Sequence, residues 1–113
     1  MNVVVLQGAL SSAPVSRQLA SGSIVVSLEL TTPTEEGAAS VPVAWFDPPG
    51  EVTFAPGDAV CVVGAVRRRF FRSGGSTQSR TEVVASDVLP ASKRRQVRAA
   101  LTRAAARVQL PAE

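Results

Sequence analysis

Residues 59–84, AVCVVGAVRRRFFRSGGSTQSRTEVV, constrain the fold more than any other stretch of the chain. Val60, Val62 and Val63 are β-branched residues suited to a half-buried strand. The run then changes abruptly into Arg67, Arg68, Arg69, Phe70, Phe71 and Arg72. Gly74 and Gly75, flanked by serines, supply turn chemistry because glycine adopts positive φ without a steric cost. Arg80-Thr81-Glu82-Val83-Val84 then returns as a second strand. The pattern predicts a long β-hairpin whose root lies in a core and whose end is a cationic, aromatic finger. Strand alternation puts Arg67, Arg69 and Phe71 on one face and Arg68, Phe70 and Arg72 on the other.

The rest of the chain reads as a small β domain built around that hairpin. Residues 2–10 form a β-rich run in which Gly8 marks a bulge or a close backbone approach. A short strand is expected within residues 15–20, and Ser21-Gly22-Ser23 turns into IVVSLEL, where Val26, Leu28 and Leu30 share a buried face opposite Ser27 and Glu29. Residues 31–39, TTPTEEGAA, read as a polar loop. In SVPVAWF, Pro42 indicates an edge or a bulge, and Trp45 and Phe46 point to opposite faces, one core and one exposed. Residues 47–58 carry too much proline and glycine for more than one helical turn, with Phe54 as a core plug. Five strands with turn signals at short intervals indicate a small barrel rather than alternating βα units. The β domain is expected over residues 1–90 and a basic tail over 91–113. Within the tail a helix is expected over 93–108, with Ser92 as N-cap and Val97, Leu101, Ala104 and Val108 as a narrow apolar stripe.

Composition narrows the chemistry. The chain of 113 residues is one domain with a short appendage. Its single cysteine, Cys61, sits among valines, which precludes an intramolecular disulfide and indicates a buried small hydrophobe. There is no His and no Tyr, so the commonest general base and metal ligand are missing. No enzyme activity, metal or cofactor is expected. The apolar run after Met1 has no basic stretch before it, and no segment reaches the roughly 20 apolar residues of a membrane span. A cytoplasmic location is the expectation. The net charge of +3 is unevenly spread: residues 1–90 hold six arginines against eight acids, whereas residues 91–113 hold six basic residues against Glu113 alone.

The order of motifs resembles the bacterial single-stranded DNA-binding protein family and its primosomal relatives. Four stretches carry the resemblance: Asn2 to Leu10, NVVVLQGAL; Ser21 to Leu28, SGSIVVSL; Gly57 to Arg67, GDAVCVVGAVR; and Arg80 to Val84, RTEVV. It covers the chain from Met1 to about Leu89. It implies an all-β, five-stranded OB-fold Greek-key barrel, followed here by the C-terminal α-helix. It also implies a homo-oligomer, dimer or tetramer, that binds single-stranded DNA in replication, recombination or repair and is nucleoid-associated. Phe71 falls on a base-stacking aromatic of the family's long hairpin, and Phe46 on another at the end of the third strand. The family's tryptophan position is Ser40 here, and the loop that carries a further ring holds Glu35 and Glu36. The family's helix between its third and fourth strands is replaced by the Pro-rich link, and residues 91–113 contain no counterpart of its acidic recruitment tip.

Together these readings nominate Phe46 and Phe71 as stacking rings and Arg67, Arg69, Arg72 and Arg80 as phosphate contacts, with Arg94, Arg95 and Arg98 as tail contacts. The alternative for the finger is a solvated hairpin whose rings pack at a subunit contact. The alternatives for the tail are an oligomerisation or docking helix, or one folded over an acidic surface such as Glu35 and Glu36. At the level of function, the alternative is an OB-fold interaction or structural paralogue with weak DNA affinity that acts on replication or restart proteins.

Overall fold

The structure is a computed structural model, and it describes residues 1–108. Six strands and one helix follow in order: β1 (Val4–Leu10), β2 (Val15–Gln18), β3 (Ile24–Thr34), β4 (Gly37–Phe46), β5 (Ala59–Ser73), β6 (Ser76–Pro90) and α1 (Arg94–Ala106). Five of the strands lie in the order β1-β5-β6-β4-β3, and β1 closes the barrel by pairing with β3 at Ala9↔Thr31 and Leu10↔Leu30. β2 is a short strand added to the outer edge of β3. All neighbours are antiparallel except β4 and β6, which pair in parallel over Val43–Trp45 and Val83–Ala85. This is the five-stranded OB-fold Greek-key barrel expected from the sequence, with one C-terminal helix.

Closure depends on β1 changing partner. It pairs with β5 from Val4 to Ala9 and then crosses onto β3. At the crossing, a Cβ on Gly8 would drive into the Thr31 carbonyl, so only glycine lets the two backbones come this close. A second close approach occurs at Gly64, against the Val84 carbonyl, where the β5–β6 register shifts between Val63 and Gly64. That shift is a bulge at the point where the hairpin leaves the barrel.

The core follows from alternation. Leu10, Val26, Leu28, Leu30, Val43, Trp45, Val60, Val62, Val83, Ala85 and Val88 form one buried cluster, and Val52 and Phe54 of the connecting link pack against it. Each fully buried Val or Leu contributes about 1.5–3 kcal/mol relative to exposure. Trp45 is the core ring of the Trp45–Phe46 pair, and Phe54 is the expected plug. Pro42 pairs with Glu29 outside the short β4–β6 contact, so the sheet there needs no amide from it on the β6 side. The link over residues 47–58 contains no helix. It is tied down at Asp47, whose N–H donates to the Ile24 carbonyl (2.8 Å) and whose carboxylate accepts the Ile24 N–H (2.9 Å).

Three details differ from the sequence reading. Residues 31–39 are not a loop: β3 and β4 run through them as a hairpin, Pro33 opposite Ala38, leaving only Glu35 and Glu36 as the turn before Gly37 at φ 121°. Pro33 is tolerated because β3 beyond Thr31 pairs with β4 alone. Ser92 is not the N-cap, because it lies in a turn closed by the Lys93 N–H to the Pro90 carbonyl; Lys93 occupies the cap position and makes no side-chain capping bond. The helix docks through Ala100 and Ala104 on Val63, flanked by Val3 and Leu89, while Leu101 and Val108 stay exposed. Small side chains let the helix approach the barrel wall, which a stripe of larger residues would hold off. An ion pair, Arg103 Nη2 to Asp87 Oδ1 at 3.2 Å, secures it. The last five residues of the expected tail segment, 109–113, lie outside the described residues. Among the described residues no helix is long and apolar enough to cross a membrane.

Candidate nucleic-acid interface

β5 pairs with β1 only as far as Gly64, and β6 pairs with β4 only from Val83 onward. Residues 67–82 therefore form a two-stranded ribbon with no third strand on either edge. Gly74 (φ 59°) and Gly75 (φ 83°) make the turn, which requires positive φ at both central positions and sets the register. Arg67 stands opposite Glu82, Arg69 opposite Arg80 and Phe71 opposite Gln78. These six side chains share the front face of the ribbon.

Glu82 organises that face. It is 4% exposed and is the one buried charged residue among those described. Arg67 donates to Glu82 Oε2 from Nη2 at 2.8 Å, and Arg69 Nε donates to Oε1 at 3.3 Å. Arg80 Nε lies 3.9 Å from the same Oε1, and Arg80 Nη2 pairs with Glu29 Oε1 at 3.0 Å. Burial pushes the Glu82 carboxyl upward in pKa, but hydrogen bonds from Arg67 and Arg69, with the charges of both, outweigh it and hold the group below its ordinary value. The carboxylate thus fixes guanidiniums that would otherwise sample many rotamers.

The same guanidiniums lie over rings. Arg67 Cζ is 5.3 Å from the centroid of Phe46, and Arg69 Cζ is 5.2 Å from that of Phe71. Both are within cation–π reach. Between the ribbon and the outer face of β3 and β4 runs a groove of about 330 Å³, lined by Arg17, Val25, Ser27, Phe46, Arg67 and Arg80 among others. Positive side chains thus ring a floor that is partly apolar and carries an aromatic wall.

Of the residues nominated from sequence, Phe46, Arg67, Arg69, Phe71 and Arg80 come together on this face. Arg72 does not: it lies on the reverse face, where its Nη2 donates to the Gly75 carbonyl at 2.9 Å. Arg94, Arg95 and Arg98 sit exposed on α1, and among the described residues no hydrogen bond or ion pair joins them to the ribbon. Sequence reasoning missed two groove residues, Glu82 and Arg17, and also Glu29, which pairs with Arg80 of the lining. Glu82 was accessible, because counting back from the Gly74-Gly75 turn pairs it with Arg67. Arg17 and Glu29 needed the register of β2 on β3 and the reach of Arg80.

Other groups are quieter. Cys61 is buried, and burial, with the Asp87 carboxylate second, raises its thiol pKa. It stays protonated and a poor nucleophile. Among the described residues, no three His, Cys, Asp or Glu side chains gather as a metal site would require. The sequence matches no family model and no curated protein.

Proposed function

We propose that this protein binds single-stranded DNA with little sequence preference, using the groove between the ribbon and the outer face of β3 and β4. The observation that carries the reading is the pairing of Arg67 with Phe46 and of Arg69 with Phe71, with both arginines anchored on one buried carboxylate. Five-stranded barrels of this connectivity take oligonucleotides or oligosaccharides on this sheet face, flanked by this hairpin, and the arginines here favour the charged polymer. Bases would stack on the open faces of Phe46 and Phe71, and phosphates would meet Arg67, Arg69, Arg80 and Arg17. Stacking needs unpaired bases with exposed π faces, which a duplex does not offer, and it accepts every base, which removes sequence preference. The motif resemblance supports the same reading and extends it to a homo-oligomer working in bacterial replication, recombination or repair.

Fluorescence anisotropy with labelled oligo(dT) and a duplex of equal length, across a salt series, tests the reading. Expected is a preference for the single strand, with affinity falling steeply as salt rises. Equal or absent binding to both at micromolar protein would rule it out.

A further inference from the structure

The reverse face of the ribbon carries a second set of the same chemistry. Arg68, Phe70 and Arg72 alternate there along β5, opposite Thr81, Ser79 and Thr77 of β6. Arg68 Cζ lies 5.3 Å from the centroid of the Phe70 ring, and its Nη2 donates to Ser79 Oγ at 3.0 Å. Arg72 is steadied by the Gly75 carbonyl. Phe70 is 66% exposed, against 38% for Phe71 on the front.

The two faces differ in their acids. On the front, Glu82 and Glu29 offset part of the charge of Arg67, Arg69 and Arg80. On the reverse, no carboxylate pairs with Arg68 or Arg72 among the described residues, and every cross-strand neighbour is a neutral hydroxyl residue. An exposed ring beside two uncompensated guanidiniums is complementary to a strand that offers both phosphates and flat bases. A neutral apolar partner would leave those charges without counterions.

Resting on the proposed function, we infer that the reverse face is a second stacking site for single-stranded nucleic acid, so that one strand leaves the front groove, crosses the ribbon and stacks on Phe70. The ribbon lacks a third strand on either edge and is about 23 Å long at 3.3 Å per residue, so a strand meets no other part of the sheet as it crosses. Phe70 and Phe71 are adjacent in sequence and point to opposite faces, which puts the two platforms at one level of the finger. The front groove alone serves a short oligomer; the reverse face adds binding only when the strand is long enough to turn the edge.

The test compares unmodified protein with the double variant Arg68→Gln/Phe70→Ala on oligo(dT) of about 6 nucleotides, near the short end of the range one barrel occupies, and about 30, beyond it. Expected is a loss of at least about fivefold on the long oligomer, a smaller salt slope, and a change of less than about twofold on the short one. Both side chains are exposed, and a thermal melt checks that the variant is folded. Unchanged affinity on both lengths overturns the inference, as does an equal loss on both, which would make the two faces one site. A drop in mass by light scattering with unchanged DNA affinity also overturns it and assigns Phe70 to a contact between copies. If the unmodified protein binds neither length, the parent reading fails and takes this one with it.

Discussion

Two antiparallel hairpins extend beyond this barrel, one short and one long, with opposite chemistry. β3 and β4 turn at Glu35 and Glu36, with Gly37 at φ 121°, and beyond the barrel they present Thr32, Pro33, Thr34, Ala38 and Ala39. β5 and β6 turn at Gly74 and Gly75 and present five arginines and two phenylalanines over residues 67–82. Antiparallel pairing holds both out from the same core, the first for three residue pairs beyond it (Thr32 to Thr34) and the second for seven (Arg67 to Ser73). The difference lies in what each ribbon offers a ligand. The first is acidic and ringless and would repel a phosphate chain; the second holds guanidiniums over rings and attracts one. Extension from the barrel is thus a frame, and side chains decide which frame is used.

The sharpest way to break that comparison is to strip the basic hairpin of its anchored arginines. The double change Arg67→Ala/Arg69→Ala should weaken oligo(dT) binding about hundredfold or more, since it removes two charge-assisted contacts. The logarithmic salt slope should fall by about 1.4. Anisotropy titrations read both quantities. Phe71→Ala comes next, with an expected loss of about 1–3 kcal/mol and little change in slope, because a ring contributes stacking and not charge.

Glu82→Gln sharpens the comparison through stability. A neutral amide holds Arg67 and Arg69 less firmly, and because those side chains are 43% and 41% exposed, the cost is discounted to about 1–2 kcal/mol from that of a fully buried pair. The sign with pH follows from the lowered carboxyl pKa of Glu82. Its contribution is fully present above the ordinary carboxylate range and is lost as pH falls through the depressed native value. Thermal melts of the unmodified protein should therefore drop on acidification by more than those of Glu82→Gln. The smallest effect is expected at the acidic turn: Glu35→Gln/Glu36→Gln should change stability by less than about 0.5 kcal/mol. Any gain in DNA affinity should appear only at low salt, where the repulsion is unscreened.

Much of this contrast was legible in the sequence. Alternation in IVVSLEL located the buried face of β3, the step from valines to arginines marked where β5 leaves the core, and Trp45 and Phe46 had to part to opposite sides. The acidic hairpin was not legible, because Pro33, Glu35, Glu36 and Gly37 carry every local mark of a loop. Only the absence of a third strand beside β3 lets Pro33 remain paired. The docking face of α1 was legible at Ala104 but not at Ala100, for a related reason. Hydropathy favours Leu101 and Val108, but the wall at Val63 accepts alanines, and the size of the gap is a tertiary fact. Glu82 looked like one acid among nine until strand register put it under the arginines.

Hydrogen–deuterium exchange with and without saturating oligo(dT) tests most directly that binding belongs to one hairpin and not the other. Slower exchange is expected across residues 67–82 and around Phe46, with residues 32–38 unchanged. Protection centred on residues 32–38, or none in residues 67–82 while the oligomer is bound, would contradict the assignment.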